Sequence, residues 1–160
     1  MKKAIKRIGI AIVVLLVVIQ VIRPARTNPP VDETRAIQAN STITPQISAI
    51  FERSCKDCHS SRTTWPWYSQ VAPVSWLLVS DVNDAREQMS LSEWGTYDSR
   101  KKVSKLQKIC EEVESGGMPL PTYVALHPAA KLSDADKQAL CDWTKQESDR
   151  VIAGAASASK

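Results

Sequence analysis

Two cysteines and a histidine form the one pattern in the sequence that points to a specific chemistry. The segment runs Cys55-Lys56-Asp57-Cys58-His59 and has the form C-x-x-C-H. Thiols at this spacing lie near one helical turn apart and can bond the two vinyl groups on neighbouring rings of a haem. The adjacent histidine then falls beneath the iron as its proximal ligand. The spacing therefore predicts covalent attachment of one c-type haem.

A bare C-x-x-C pair also occurs in redox-active disulfides and in zinc sites, neither of which requires the histidine. A zinc site would recruit Cys110 and Cys141, but these occur singly and not as a second C-x-x-C pair. A thioredoxin-like site needs a βαβ context, and no segment of the chain alternates convincingly with the period of a strand. The sequence therefore favours haem over both alternatives.

The sixth position on the iron has few candidate ligands. Met118 lies in a stretch of glycines and prolines, residues 116–121, that cannot be helical and that displays the side chain. Met89 falls on the apolar face of a predicted helix, where a methionine usually fills the core. His127, followed by a proline in a loop, is the alternative ligand. We expect His59 and Met118 to be the axial ligands.

Several aromatic residues follow the haem motif closely: Trp65, Trp67, Tyr68 and Trp76. Such side chains can wall the macrocycle and donate an indole N–H or a phenol O–H to a propionate. An ordinary aromatic core is an equally good interpretation of the same residues. We assign Trp94 and Trp143 to core packing.

Apolar residues at helical spacing predict the elements that must position these side chains, and they indicate an all-α fold class. The first helix begins at Thr44 as N-cap and runs into Cys55. Three further helices are predicted from Val74 to Met89, from a cap at Ser99 to the glycines at 116–117, and from a capping pattern at Ser133 and Asp136 through Trp143. We expect a small cytochrome c-like helical domain with long loops around one haem.

The head of the chain is a candidate membrane segment. Four basic residues precede an uncharged apolar run over residues 8–22, which is either a secretory signal or a membrane anchor. The run ends in Val21-Ile22-Arg23-Pro24 and lacks the small residues of a cleavage site, so we expect an uncleaved anchor. The positive cluster before the run predicts a cytoplasmic amino terminus. The protein is then a single-pass protein of the bacterial inner membrane with its haem domain in the periplasm.

These observations divide the chain into four parts. Residues 1–23 form the signal anchor or transmembrane helix, and residues 24–43, rich in proline and without apolar periodicity, form an extended linker. The haem-binding domain occupies residues 44–150, and residues 151–160 form a disordered tail.

Cys110 and Cys141 remain as an even pair in an oxidising compartment, and we expect a disulfide between them in preference to two buried thiols.

The distribution of charge argues against a nucleic-acid partner. The chain has 21 Lys and Arg against 17 Asp and Glu, but six of the basic residues and none of the acidic ones lie in residues 1–26. Residues 27–160 therefore have a net charge of −2, whereas a groove for nucleic acid needs excess positive charge. Two haem propionates add further negative charge. We expect redox partner proteins of the envelope that present a positive docking face, and contact with the membrane through the N-terminal helix.

Taken together, several short motifs resemble the small haem-binding domain family of bacterial exported proteins with one c-type motif. The resemblance covers roughly residues 47–143 and rests on C-x-x-C-H together with the following segments: Thr64 to Tyr68, Ala72 to Trp76, Ser92 to Trp94, Gly117 to Leu120, Tyr123, His127-Pro128 and Leu132-Ser133. It implies covalent haem binding, with His59 proximal and Met118 distal, in a redox chain of the envelope.

We therefore expect a membrane-anchored single-haem cytochrome that carries one electron at a time, and not an enzyme. A haem peroxidase or a gas sensor with a labile sixth position is the alternative enzyme or sensor class. A further alternative is a haem-bearing accessory subunit of a larger membrane redox complex. That alternative predicts a large exposed apolar patch on the domain.

Overall fold

The structure, a computed structural model, describes residues 1–158 and contains eight α-helices and no strand within them. The helices are α1 Lys2–Val18, α2 Ile37–Asn40, α3 Pro45–Ser54, α4 Lys56–His59, α5 Val74–Gln88, α6 Ser99–Ser115, α7 Pro121–Leu126 and α8 Asp134–Ala158. Short 3-10 helices occupy Ile19–Val21, Trp67–Gln70, Trp94–Thr96 and Pro128–Ala130. The all-α fold class expected from the sequence is confirmed.

Side-chain caps explain where α3 and α6 begin. The hydroxyl of Thr44 accepts a hydrogen bond from the backbone N–H of Ile47 at 3.3 Å, as expected for an N-cap residue. At the start of α6 the cap is Asp98 and not the predicted Ser99, because the Asp98 carboxylate accepts from the backbone N–H of Lys101 at 2.7 Å. A carboxylate at this position also interacts favourably with the helix dipole.

The last helix begins as predicted and extends further than predicted. The backbone N–H of Ser133 donates to the Asp136 carboxylate at 2.9 Å, and the backbone N–H of Asp136 donates to the Ser133 hydroxyl at 3.1 Å. This reciprocal pair is a capping box. The sequence predicts a disordered tail over residues 151–160, but residues 151–158 are helical. The alanines of this segment have the highest helix propensity; residues 159 and 160 lie outside the described residues.

One apolar core joins α2, α3, α6 and α8. Its buried members are Ile37, Ile47, Ile50, Phe51, Leu91, Trp94, Leu106, Ile109, Val113, Leu132, Leu140 and Trp143. Both tryptophans that the sequence assigns to packing belong to this core, and the ring of Trp143 meets that of Phe51 edge to face at 5.3 Å. A disulfide between Cys110 of α6 and Cys141 of α8 ties two walls of the core together, as expected.

The segment over residues 24–43 lies against the domain and contains helix α2, whereas the sequence predicts an extended linker there. Ile37 is fully buried in the core. The indole N–H of Trp143 donates to the carbonyl of Thr42 at 2.8 Å, so α8 holds the end of the segment in place. The packed domain therefore begins before Thr44. A single buried isoleucine in a helix of one turn leaves no periodic pattern, which explains why the sequence does not reveal it.

Candidate functional site

Two adjoining cavities of about 250 and 230 Å³ lie beside the C-x-x-C-H segment. Together they fall within the roughly 300–1,000 Å³ of a typical small-molecule or cofactor site. The residues that line both cavities are Ser54, His59, Gln88, Met118 and Pro119. Cys55 lines the larger cavity and Cys58 the smaller one. The structure thus brings together the four residues that the sequence places nearest to the iron.

A single helical turn sets the positions of the two cysteines and the histidine. Helix α3 ends at Ser54, and the backbone N–H of His59 donates to the carbonyl of Cys55 at 2.9 Å across α4. The carbonyl of His59 in turn accepts from the backbone N–H of Leu91 at 2.7 Å. The motif is therefore fixed at both ends, by its own turn and by the segment that follows α5.

The imidazole of His59 is oriented for metal ligation. Its Nδ1 atom lies 3.1 Å from the carbonyl oxygen of Ala85 and 3.0 Å from that of Met89. Carbonyl oxygens only accept hydrogen bonds, so Nδ1 carries the proton and donates it, and Nε2 retains its lone pair. Burial lowers the pKa of His59, although both backbone hydrogen bonds oppose the shift. The ring is therefore neutral at neutral pH, as a metal-binding histidine must be.

Met118 reaches the cavities from the loop between α6 and α7. Helix α6 ends at Gly116, whose left-handed φ of 77° turns the chain. The backbone N–H of Met118 then donates to the carbonyl of Glu112 at 3.0 Å. His127, the alternative ligand, lines neither cavity, and its ring stacks on Tyr123 with centroids 4.2 Å apart. The structure thus places Met118 and not His127 at the cavities.

The two cysteines do not have the character of a redox-active pair. Both are free thiols in the structure. Burial, followed by the effect of Cys58, raises the pKa of Cys55 to about 12. Burial, followed by the effect of Asp57, raises the pKa of Cys58 to about 11. A dithiol that exchanges disulfides needs a lowered pKa and an accessible thiolate, so this geometry disfavours the redox alternative.

A zinc site is also disfavoured. Across residues 1–158, one group of three His, Cys, Asp or Glu side chains lies close enough to hold a metal ion, and it consists of Cys110, Glu114 and Cys141. Its two cysteines are joined in the disulfide and are not available as thiolates. Cys55 and Cys58 belong to no such group in this described part of the chain.

A hydrogen bond that no sequence pattern reveals joins α7 to α4 beside the smaller cavity, which Tyr123 lines. The hydroxyl of Tyr123 in α7 donates to the carboxylate of Asp57 in α4 at 2.9 Å. Burial, reinforced by Asp57, raises the pKa of Tyr123 well above its usual value, so its proton stays in this bond. Asp57 occupies a variable position of C-x-x-C-H, and its partner lies 66 residues away. No local pattern connects two such positions.

The four aromatic residues expected beside the haem line neither cavity: Trp65, Trp67, Tyr68 and Trp76. The hydroxyl of Tyr68 lies 3.4 Å from Nδ1 of His127. The indole nitrogen of Trp65 is buried without a hydrogen-bond partner among the described residues. The side chain of Trp67 is 77% exposed, and the indole N–H of Trp76 donates to the carbonyl of Ile22 at 2.8 Å. Their contact with a haem stays a prediction.

The residues at the cavities fit a haem. They supply two free thiols, an imidazole whose Nε2 keeps its lone pair and a thioether. The apolar part of the walls is built by Ala85, Ile109, Val113, Pro119, Leu120 and Leu132, and charged side chains also line the cavities: Asp81, Asp84, Lys105, Lys108 and Glu112. The sequence model of a family described as "Haem-binding domain" matches residues 14–146, a range that contains every residue lining the two cavities. Searches of curated proteins and of solved structures find no significant match.

Proposed function

Because the chain belongs to the haem-binding domain family, we propose that it is a membrane-anchored c-type cytochrome with one covalently attached haem, which transfers single electrons in the bacterial envelope. The observation that carries the proposal is the position of Cys55, Cys58, His59 and Met118 on one pair of adjoining cavities. Haem binding is the property of the family. Covalent attachment, the axial ligands and electron transfer are our proposal.

Each of these side chains has a distinct part in holding the cofactor. The thiols of Cys55 and Cys58 would hold it through thioether bonds, Nε2 of His59 would bind the iron, and the thioether sulfur of Met118 would bind it from the loop before α7. The haem, when bound, supplies an iron that changes reversibly between its ferric and ferrous states and so accepts and returns one electron.

The chain provides a rigid support for the proximal ligand. The two carbonyls that accept from Nδ1 of His59 belong to Ala85, in the last turn of α5, and to Met89, directly after it. These acceptors fix both the tautomer and the rotation of the ring. A ligand that is held in place before the metal binds needs little rearrangement when the charge at the site changes, which suits a carrier.

Met118 distinguishes a carrier from a catalyst. A side chain that fills the sixth position leaves no open position for peroxide or for a gas, which peroxidases and gas sensors need. The loop that carries Met118 is held by its backbone hydrogen bond to Glu112 and is followed by Pro119, which also lines both cavities. These features favour electron transfer over the peroxidase or sensor alternative.

The N-terminal helix supports attachment to a membrane. Residues Lys2–Val21 form a helix of 20 residues that is long and apolar enough to cross a bilayer, and none of its apolar side chains is buried in the domain. The basic cluster at residues 2–7 favours a cytoplasmic amino terminus and a periplasmic haem domain. We further propose that the redox partner presents a positive face, because residues 27–160 have a net charge of −2.

The ferric absorption spectrum of the purified, haem-loaded chain tests the ligand assignment. Methionine ligation produces a weak sulfur-to-iron charge-transfer band, which we expect in the parent protein and not in Met118→Ala. Met89→Leu and His127→Gln are matched controls that keep the band. A band that is absent from the parent, or that survives in Met118→Ala, contradicts the assignment. Rapid peroxide turnover by the parent protein would instead support the peroxidase alternative.

A further inference from the structure

We propose that residues 67–77, here called the interfacial segment, form a second membrane contact that enters the lipid interface beside α1. The exposed apolar side chains of Trp67, Val71, Val74 and Leu77 would make this contact. The inference rests on the proposed function in one respect, because it requires the N-terminal helix to span the bilayer. It adds that the haem domain is seated on the membrane surface and is not suspended from a free tether.

Direct hydrogen bonds tie the end of the N-terminal helix to this segment. The side-chain amide of Gln20 donates to the carbonyl of Ala72 at 3.1 Å and accepts from the backbone N–H of Ala72 at 2.9 Å. The indole N–H of Trp76 donates to the carbonyl of Ile22 at 2.8 Å. These bonds join residues more than 50 positions apart in the chain. The interfacial segment is therefore fixed at the point where the helix ends.

The length of the helix sets the depth of this junction. At 1.5 Å per residue, the uncharged run over residues 8–22 extends for about 22 Å. The long side chains of Lys6 and Arg7 can reach the headgroups from about one further turn, so the helix spans the roughly 30 Å hydrocarbon core with its basic residues at the cytoplasmic face. When the basic end of the helix lies at the cytoplasmic face, Gln20 lies at the opposite face. Ala72 and Trp76 are bonded to this end of the helix, so they lie at the same level.

The side chains around this junction have the composition of a membrane interface. Trp67 is 77% exposed, Leu77 66%, and Val71 and Val74 42% each. Val74 and Leu77 are three residues apart on α5 and thus share a face of that helix. Tryptophan is enriched where the bilayer meets water because its ring is apolar and its N–H is polar.

Lipid is the occupant that the structure favours for this patch. An accessory subunit of a membrane complex would also show an exposed apolar patch, but that patch need not adjoin the anchor. Here the exposed side chains continue the apolar surface of the N-terminal helix: its last residue, Val21, is 85% exposed, and Ile22, which follows it, is 65% exposed. Any bilayer that surrounds the helix therefore reaches the interfacial segment.

The contact also limits where the haem site lies. Helix α5 begins at Val74 in the interfacial segment, and its residues Asp81 and Gln88 line the cavities. At 1.5 Å per residue, these two positions lie about 10 and 21 Å along the helix from Val74. The parts of the cavities that Asp81 and Gln88 line therefore lie no more than about 21 Å above the level of Val74, so the electron-transfer partner must be reached near the membrane.

Photolabelling of the full-length, haem-loaded chain in nanodiscs tests the proposal. The nanodiscs contain phosphatidylethanolamine and phosphatidylglycerol with a trace of a photoreactive phospholipid. Its diazirine group is either near the headgroup or at the end of the acyl chain. Labelled peptides are identified by mass spectrometry. We expect α1 to react with both probes and residues 67–77 to react with the headgroup-level probe severalfold more than peptides from α6 do.

Variants make the result specific to the side chains named above. Trp67→Ser combined with Leu77→Ser should reduce labelling of residues 67–77 severalfold and leave labelling of α1 unchanged. Gln20→Ala should reduce it as well, because it removes both hydrogen bonds to Ala72. Ile152→Ser changes an apolar residue on α8 that is 54% exposed and serves as the matched control. The haem spectrum of each variant verifies that the domain has folded.

The outcomes separate this inference from the proposed function. A labelled α1 beside an unlabelled interfacial segment overturns the inference and leaves the anchor intact. Labelling that is equal over the whole domain, or that is unchanged in the double variant, also overturns it. If α1 itself is unlabelled, both the anchor and this inference are wrong. Selective labelling of residues 67–77 that depends on Trp67 and Leu77 supports the inference.

Discussion

Removal of the Cys110–Cys141 disulfide should lower the free energy of unfolding by an amount that follows from the loop it closes. The two cysteines are 31 residues apart in sequence. The chain-entropy relation for a loop of this length gives about 3.7 kcal/mol at 25 °C. Both residues are half-buried, so replacement by alanine creates little cavity and the loop term dominates. The double variant Cys110→Ala with Cys141→Ala should therefore be less stable by about 3–4 kcal/mol.

Urea unfolding of the haem-loaded chain measures this loss. With a typical urea dependence of about 1–3 kcal/mol per molar, the transition midpoint should shift down by about 1–4 M. The signal should come from the domain, for example from the absorption of the haem, and not from α1. Because α6 lines the larger cavity through Ile109 and Val113, the haem environment reports directly on the helix that the disulfide holds.

Chemical reduction provides the control. A thiol reductant cleaves the disulfide of the parent protein but leaves thioethers intact, so it should reproduce the loss in the parent protein and change nothing in the double variant. A loss below about 1 kcal/mol by both routes, far under the loop estimate, would refute the reasoning. It would mean that the segments of α6 and α8 stay in contact in the unfolded chain and already restrict it, or that the disulfide does not form.

The remaining predictions concern charge. Although burial raises the pKa of Glu147, hydrogen bonds from Arg150 and from the backbone of Thr42 hold it below its usual 4.5. At neutral pH, Glu147→Gln should therefore lower the free energy of unfolding by roughly 1–2 kcal/mol. This difference should shrink as the pH falls below 4.5 and disappear below the lower pKa that Glu147 has in the folded state. A difference in urea unfolding that does not change with pH would contradict this. Reduction of the purified protein by the cation hexaammineruthenium(II) should slow as ionic strength rises, and a rate indifferent to salt would argue against a negatively charged electron-transfer face.

Much of the helical framework and the centre of the site could be predicted from the sequence, because both depend on local patterns. The helices at Pro45, Val74, Ser99 and Asp134 carry apolar residues at helical spacing over several turns, and all four are present. The C-x-x-C-H segment can be recognised from its residue types and spacing alone. Met118 could be selected as a candidate ligand because the glycines and prolines around it keep its loop out of a helix.

The parts that could not be predicted depend on contacts between distant residues. The sequence gives no sign that Ile37 is buried, that Asp57 bonds Tyr123, or that Gln20 bonds Ala72, because each pair or packing contact forms only when the chain has folded. The aromatic residues show the same limit. The aromatic residues after the haem motif indicate an apolar surface. Their residue types alone do not reveal whether this surface faces the cavities or the end of α1.

The mass of the denatured chain tests the central claim most directly. Covalent attachment through Cys55 and Cys58 predicts that the chain keeps the mass of one haem after denaturation, on the peptide that contains residues 55–59. The double variant Cys55→Ala with Cys58→Ala should lose this added mass, whereas Cys110→Ala with Cys141→Ala should keep it. A parent chain that releases its haem on denaturation, or a Cys55/Cys58 variant that retains it, would contradict the account.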